Sequence, residues 1–168
     1  ALGCEPEKII KFPWVDFQST LARMETRVNC KERDADEFRI KLGWQKGYPV
    51  VISTRHHEPV YNMECLIRAI PIVVKEVPNA RFLILGKGSL TQKLEQSVIA
   101  MGIEANVRFL GPVPFNYMPQ YLEMADIYVS TSLSDGTSAS LVEAMTCRLP
   151  AIVTDIPGNR EWLTDGIS

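Results

Sequence analysis

Residues 80–111 read ARFLILGKGSLTQKLEQSVIAMGIEANVRFLG, and this stretch decides the fold. ARFLILG, at 80–86, reads as a strand. LTQKLEQSVIAMG, at 90–102, reads as a helix, capped by Ser89 or Thr91 and closed by Gly102. NVRFLG, at 106–111, reads as a second strand. Strand, helix and strand in succession form a βαβ unit, which calls for parallel pairing and a right-handed crossover.

The same alternation extends in both directions. On the N-terminal side, YPVVISTR (48–55) is rich in β-branched residues and reads as a buried strand. NMECLIRAIPIVVKEV (62–77) is helical by the spacing of Leu66, Ala69, Ile70 and Val73, and Pro71 predicts a kink or an early break. On the C-terminal side, FNYMPQYLEMA (115–125) reads as a helix with Pro119 in its first turns, and Tyr117, Tyr121 and Met124 form its core face. DIYVSTS (126–132) is a strand, SASLVEAMTC (138–147) a helix and PAIVTD (150–155) a strand; GNREWLTDG (158–166) begins another helix. Ahead of this series, EKIIKFPW (7–14) suggests a strand ending in a loop. Residues 18–33 are a polar connecting arm, and DADEFRIKLGW (34–44) is a short helix stopped by Gly43. The expected fold class is α/β, a Rossmann-like, doubly wound and mostly parallel sheet. Residues 1–47 form a lead-in segment and connecting helix of the same domain, and 48–168 form its core.

Bulk properties narrow the function. The 168 residues suffice for one domain with a real core, and 46% hydrophobic with 23% charged residues is ordinary for a globular protein. The net charge of -2 gives no global attraction to nucleic acid or anionic lipid. No apolar run approaches the roughly 20 residues needed to span a bilayer. Cys4, Cys30, Cys65 and Cys147 form no C-x-x-C pair, so reduced thiols are expected rather than a zinc or redox site. The chain begins without Met and stops just after a helix start, so a piece of a larger protein is expected.

Open parallel sheets bind ligands beyond the carboxyl ends of their strands. Arg55 follows the first strand of the series, Gly86-Lys87-Gly88 the second, Gly111-Pro112-Val113 the third, and Asp135-Gly136-Thr137-Ser138 the fourth. The last of these lies in SDGTSASLVEAM (134–145), directly ahead of a helix. Free N–H groups and the helix dipole make such an end suited to an anion. Gly136 permits close approach, and Thr137, Ser138 and Ser140 add hydroxyls. Glu143 lies about one and a half turns beyond Ser138, where a carboxylate can accept two hydrogen bonds from the diol of a ribose. Arg55 can offer a fixed charge and a forked donor to phosphate, and Asp135 can accept hydroxyls of a sugar beyond the diphosphate. Against this stands the plainer reading, in which the hydroxyls only cap the helix and Glu143 pairs with an internal base. His56 and His57 lack the further ligands of a metal site and suit a loop role near the phosphates. GKGSL at 86–90 has Thr91 at the third glycine position, so the dinucleotide fingerprint fails.

These residues resemble the C-terminal, donor-binding domain of GT-B-fold glycosyltransferases, most like family four of the retaining enzymes. The specific part is an acid, seven residues and a Glu in the setting E-G-x-G-x-x-x-x-E-A-M-x-x-G-x-P, matched from Asp135 through EAMTCRLPAIVTD at 143–155. VVISTR, PNARFLILGKGSL, NVRFLGPVP and YLEMADIYVSTS match successive blocks, and EKIIKFPWVDF matches the segment that follows the interdomain linker. The resemblance implies that Glu143 binds the ribose hydroxyls and Asp135 the donor sugar. It implies that backbone amides of Thr137, Ser138 and Ala139 contact sugar and diphosphate, that Arg55 neutralises the leaving diphosphate, and that backbone at Pro112 and Val113 recognises the base. It implies no metal cofactor. The donor expected first is a UDP-sugar, with GDP-mannose next, and the acceptor is a sugar or lipid-linked hydroxyl held by an N-terminal domain. No nucleic-acid partner is implied. A cytoplasmic setting is, with peripheral contact at the inner membrane face, and this piece alone is expected to be inactive.

Three departures from the pattern stand out. The first acid is Asp135 rather than Glu. Ser138 and Arg148 replace the second and third glycines. The lysine usual after the arginine is missing from RHHEPVYNME (55–64), where Tyr61-Asn62 stands, and Lys87 is the candidate replacement. A non-catalytic nucleotide-sugar-binding or regulatory module on the same fold is the alternative. A nicotinamide-dependent oxidoreductase lacks its glycine fingerprint.

Overall fold

The computed structural model describes residues 32–163. The strand expected at 7–14 and most of the arm expected at 18–33 lie outside the described residues. The series begins with helix α1 (Glu32–Lys41), then strand β1 (Val50–Ser53) and helix α2 (Met63–Glu76). Strand β2 (Arg81–Leu85), helix α3 (Thr91–Ala100) and strand β3 (Val107–Gly111) follow. Helix α4 (Met118–Glu123), strand β4 (Ile127–Ser130), helix α5 (Ala139–Thr146), strand β5 (Ala151–Val153) and the single turn α6 (Pro157–Arg160) complete it.

All five strands are parallel, in the order β3-β2-β1-β4-β5. This is the doubly wound sheet expected from the alternation. The chain builds outward from β1 to β3, returns to the other side of β1, and builds outward again. β1 and β4 are therefore neighbours, in register Val51 to Ile127 and Ile52 to Tyr128, while the connections from their ends diverge. In open sheets of this kind such a switch point, past the carboxyl ends of both strands, is where ligands bind.

Alternate residues of each strand face opposite layers. Val50, Ile52, Leu83, Leu85 and Tyr128 join Leu122, Met124, Leu141 and Ala144 in one buried cluster, against α4 and α5. Phe82, Ile84, Val107 and Val129 join Met63, Leu66, Ile67, Ile70, Leu94 and Val98 in the other, against α2 and α3. Helix α1 packs on the first layer: Phe38 meets the Tyr121 ring edge-on at 4.9 Å, and Arg39 donates to the Met124 carbonyl and pairs with Asp126.

Several local expectations are corrected. Helix α2 runs through Pro71 without a break, and its buried stripe is Met63, Leu66, Ile67 and Ile70, with Ala69 and Val73 exposed. The apolar face held against the sheet outweighs the one hydrogen bond that Pro71 cannot donate. Neither Ser89 nor Thr91 caps α3; Leu90 is its N-cap residue, with no side-chain cap bond. Thr91 Oγ1 instead bonds Gly88 and His57, and Ser89 Oγ donates to Glu58. Gly102 does close this helix in the left-handed region. Tyr117 is exposed, whereas Met124 is buried and Tyr121 packs against the core.

Candidate functional site

Arg55 leaves the end of β1 and its side chain turns to the loop after β4, where the residue is only 7% exposed. One terminal nitrogen, Nη1, donates to Ser138 Oγ at 3.0 Å and to Ser140 Oγ at 2.6 Å. The other, Nη2, is ion-paired with Asp135. The ring of Tyr61 lies over the guanidinium, 4.3 Å from its centroid to the central carbon. Nε is buried without a partner. A single cation thus gathers three residues at the start of α5: Asp135 and Ser138 ahead of the helix and Ser140 in its first turn.

Ser138 fulfils the plainer reading as well. It is the N-cap of α5, and its hydroxyl accepts from the Leu141 N–H at 3.4 Å. Beneath it, the buried Tyr128 hydroxyl donates to Ser140 Oγ at 3.0 Å. Burial pushes the Tyr128 phenol above its ordinary range, so it remains a neutral donor. The hydroxyls of Ser138 and Ser140 lie 3.3 Å apart. The cap, the cation and the phenol therefore share one small network at the helix start. Gly136 is exposed, and a Cβ there would meet nothing within 4 Å, so the loop is open where close approach was expected. Thr137 and Ala139 are half-buried on the same segment.

Glu143 lies on α5 itself, half-buried. Burial pushes its carboxyl up to about 7, and the Arg55 charge offsets only part of that. No described residue donates a hydrogen bond to it. A carboxylate in this state is costly for a fold and retains its acceptor positions for hydroxyls of a ligand.

The remaining expected residues lie on adjoining loops. Lys87 is exposed after β2, and its carbonyl accepts the His57 N–H at 3.4 Å. Gly86 and Gly88 permit this approach: a Cβ on either would sit 2.5 Å from the carbonyl oxygen of Arg55 or His57, respectively. His57 is a buried tie rather than a phosphate ligand. Its Nδ1 meets Thr91 Oγ1 at 2.9 Å and its Nε2 the Leu85 carbonyl at 3.2 Å, and burial lowers its pKa, so it is held neutral. No group of three or more metal-ligating side chains occurs among the described residues. Pro112 is exposed after β3, whereas Val113 packs against the first buried cluster. No side-chain hydrogen bond or ion pair joins Lys87, Pro112 or Val113 to Arg55, Asp135, Ser138 or Ser140 among the described residues. The loops themselves are joined, through the Gly86 N–H to the Gly111 carbonyl at 2.8 Å.

Sequence reasoning missed three contributors. Tyr128 looked like an ordinary strand residue, and only its strand's place beside β1 puts its hydroxyl under Ser140. Gly158, in α6, presses on the backbone of Asp135 and Gly136 so closely that no side chain fits. Tyr61 was noted only as the occupant of an unexpected position. Arg148, where the resemblance calls for glycine, adopts φ 59 at the end of α5, a conformation that glycine takes freely and arginine does not.

The family model described as Glycosyl transferases group 1 matches residues 34–168. The putative glycosyltransferase EpsD of Bacillus subtilis is 29% identical over 133 residues, 79% of this chain and 34% of that protein. The GDP-mannose-dependent monoacylated alpha-(1-6)-phosphatidylinositol monomannoside mannosyltransferase of Corynebacterium glutamicum is 29% identical over 138 residues, 78% of this chain and 36% of that protein. The chain thus spans about a third of the length of these curated relatives. Among solved structures, S. aureus TarM in a complex containing UDP is similar with a TM-score of 0.66 and 27% identity, covering 73% of this chain and 25% of that one. The parallel sheet and a family match extending from α1 through every strand converge, and the chain belongs to the glycosyl transferases group 1.

Proposed function

We propose that this chain is the donor-binding domain of a retaining glycosyltransferase, and that its crevice holds a nucleoside diphosphate sugar. The observation that carries the reading is the convergence of Arg55, Asp135 and the Ser138–Ser140 pair at the N-terminus of α5, with the half-buried carboxyl of Glu143 farther along the same helix. The diphosphate takes the Arg55 guanidinium and the free N–H groups of the helix start. Glu143 accepts the ribose hydroxyls. Asp135, released from Arg55 by the diphosphate, accepts hydroxyls of the donor sugar.

In the transfer step the bond from the anomeric carbon to the diphosphate oxygen breaks. The acceptor oxygen takes its place on the same face, and the acceptor proton leaves with the diphosphate. Charge accumulates on the leaving oxygens, where Arg55 and the helix end already stand, and no metal cofactor is invoked. UDP-sugars are the first choice of donor and GDP-mannose the second, in keeping with the UDP of the TarM complex and the name of the Corynebacterium relative. A sugar or lipid-linked acceptor would be held by another part of the full-length protein. A cytoplasmic site of action, at the inner membrane face, belongs to the same proposal; among the described residues no helix is long and apolar enough to cross a membrane.

The test is calorimetric titration of the full-length protein with UDP, GDP and ADP in the presence of a chelator. Binding of one of them, abolished in Glu143→Ala, is expected. Absence of binding by all three, or binding that survives in Glu143→Ala, would refute the reading. Because the stretch after Arg55 carries no lysine before Lys75, a binding module without turnover is the second reading. Sugar transfer by the full-length protein separates the two.

A further inference from the structure

We propose that Tyr61 is a positioning residue for Arg55: its ring holds the plane of the guanidinium while the groups bonded in that plane exchange. The inference rests on the donor-site reading above. Arg55 has two kinds of neighbour. Asp135, Ser138 and Ser140 accept hydrogen bonds in the plane of the guanidinium. Tyr61 covers its face, with the ring centroid 4.3 Å from the central carbon. For a phosphate to be bound, an in-plane acceptor must yield its place, and Asp135 is the one bonded to a whole terminal nitrogen. During such an exchange only the serine bonds at Nη1 hold the group in its plane, at one corner, and Nε, which could have anchored it at a second, has no partner. The face contact is compatible with either in-plane partner. It persists through the exchange.

The ring is itself held from its backbone. Pro59, Val60 and Tyr61 form a single 3-10 turn, closed by Asn62 in the left-handed region at φ 47, whose N–H bonds the Pro59 carbonyl. The loop after β4 grips this turn directly. The Leu133 N–H donates to the Val60 carbonyl at 2.8 Å. Thr131 Oγ1 donates to the carbonyls of Asn62 at 2.9 Å and Tyr61 at 3.3 Å. None of these bonds uses the Tyr61 side chain, so replacing the ring leaves the turn in place. A pinned aromatic face over a nearly buried cation also excludes water from it, which strengthens its attraction for an anion.

The experiment titrates UDP and GDP, each beside its nucleoside, into the full-length protein carrying Tyr61→Phe, Tyr61→Leu or Arg55→Ala, with circular dichroism to confirm folding. Tyr61→Met replaces the leucine variant should that one unfold. Phe keeps the aromatic face and is expected to bind within about twofold of wild type. Leu is expected to weaken diphosphate binding about tenfold with nucleoside binding unchanged. A merely structural role would lower both ligands alike, and that result would overturn the proposal. So would a leucine variant that binds the diphosphate as well as wild type. If Arg55→Ala weakens the diphosphate selectively and Tyr61→Leu does not, the role of Tyr61 alone falls. If Arg55→Ala has no selective effect, or wild type binds neither diphosphate, the donor-site reading falls and this inference with it.

Discussion

Replacing Glu143 by Gln should stabilise the fold and weaken the site, and the two effects have opposite signs for one physical reason. The carboxyl titrates at about 7 in the folded chain against an ordinary 4.5, because burial disfavours its charged form more than Arg55 favours it. A group whose folded pKa is raised contributes most below its unfolded pKa, and that contribution is lost as the pH rises through the folded value. Relative to a neutral Gln, wild type is therefore nearly unaffected at about pH 4 and destabilised by about pH 8. The full gap between 4.5 and about 7 corresponds to about 3 kcal/mol. Water reaching the half-buried carboxylate screens part of this, so the expected gain in Glu143→Gln is about 2 kcal/mol at pH 8 and close to zero at pH 4. Urea denaturation of both proteins across that range measures it. The depressed carboxyls of Asp36, Glu58 and Glu64 occur in both proteins and cancel in the difference. UDP binding, measured on the same samples, should weaken by about 1–3 kcal/mol, the scale of hydrogen bonds lost to a charged acceptor. A stability difference that does not change with pH would refute the reasoning, as would a variant less stable than wild type at pH 8. The first result would mean that Arg55 cancels the effect of burial on this carboxylate, and the second that Arg55 outweighs it.

Three further outcomes are expected. Arg148→Gly should raise stability by about 1 kcal/mol, because φ 59 is strained for arginine and open to glycine; an unchanged or lower melting temperature would contradict this. Gly158→Ala should destabilise by about 1–3 kcal/mol and also weaken nucleotide binding, because the added methyl would lie 2.5 Å from the Asp135 carbonyl oxygen and against that of Gly136. Full stability and affinity in that variant would remove α6 as a support of the donor loop. Iodoacetamide at pH 8 should label the exposed Cys65 and spare Cys147, whose thiol burial and the neighbouring Glu123 and Glu143 push up to about 12. Peptide mass mapping reads this, and equal labelling of the two would refute it.

Much of the site was legible in the sequence because it lies at strand ends and a helix start, which are local features. Arg55 after VVIS, and Asp135 through Ala139 ahead of LVEAM, are positioned by the elements they adjoin. Misreadings arose where a distant partner redirected a local preference. Thr91 has the chemistry of a cap, but His57 from the loop after β1 and Gly88 engage its hydroxyl. Pro71 has the chemistry of a break, but the sheet face beneath α2 holds the helix together. Tyr117 fits a helical stripe, but the 3-10 turn from Phe115 to Tyr117 shifts the phase, and its ring lies outside.

The sequence by itself determined the alternation of strands and helices and the chemical character of the segment from Asp135 to Glu143. Both follow from the spacing of apolar residues and from backbone chemistry within a few residues. The strand order β3-β2-β1-β4-β5 was decided only in the tertiary structure. It depends on how two helical layers cover both faces of one sheet, an energy spread over the whole core and written in no single segment. That order places β1 beside β4, and the adjacency brings Arg55 to Asp135 and Ser138, the Tyr128 hydroxyl under Ser140, and the turn bearing Tyr61 against the loop after β4.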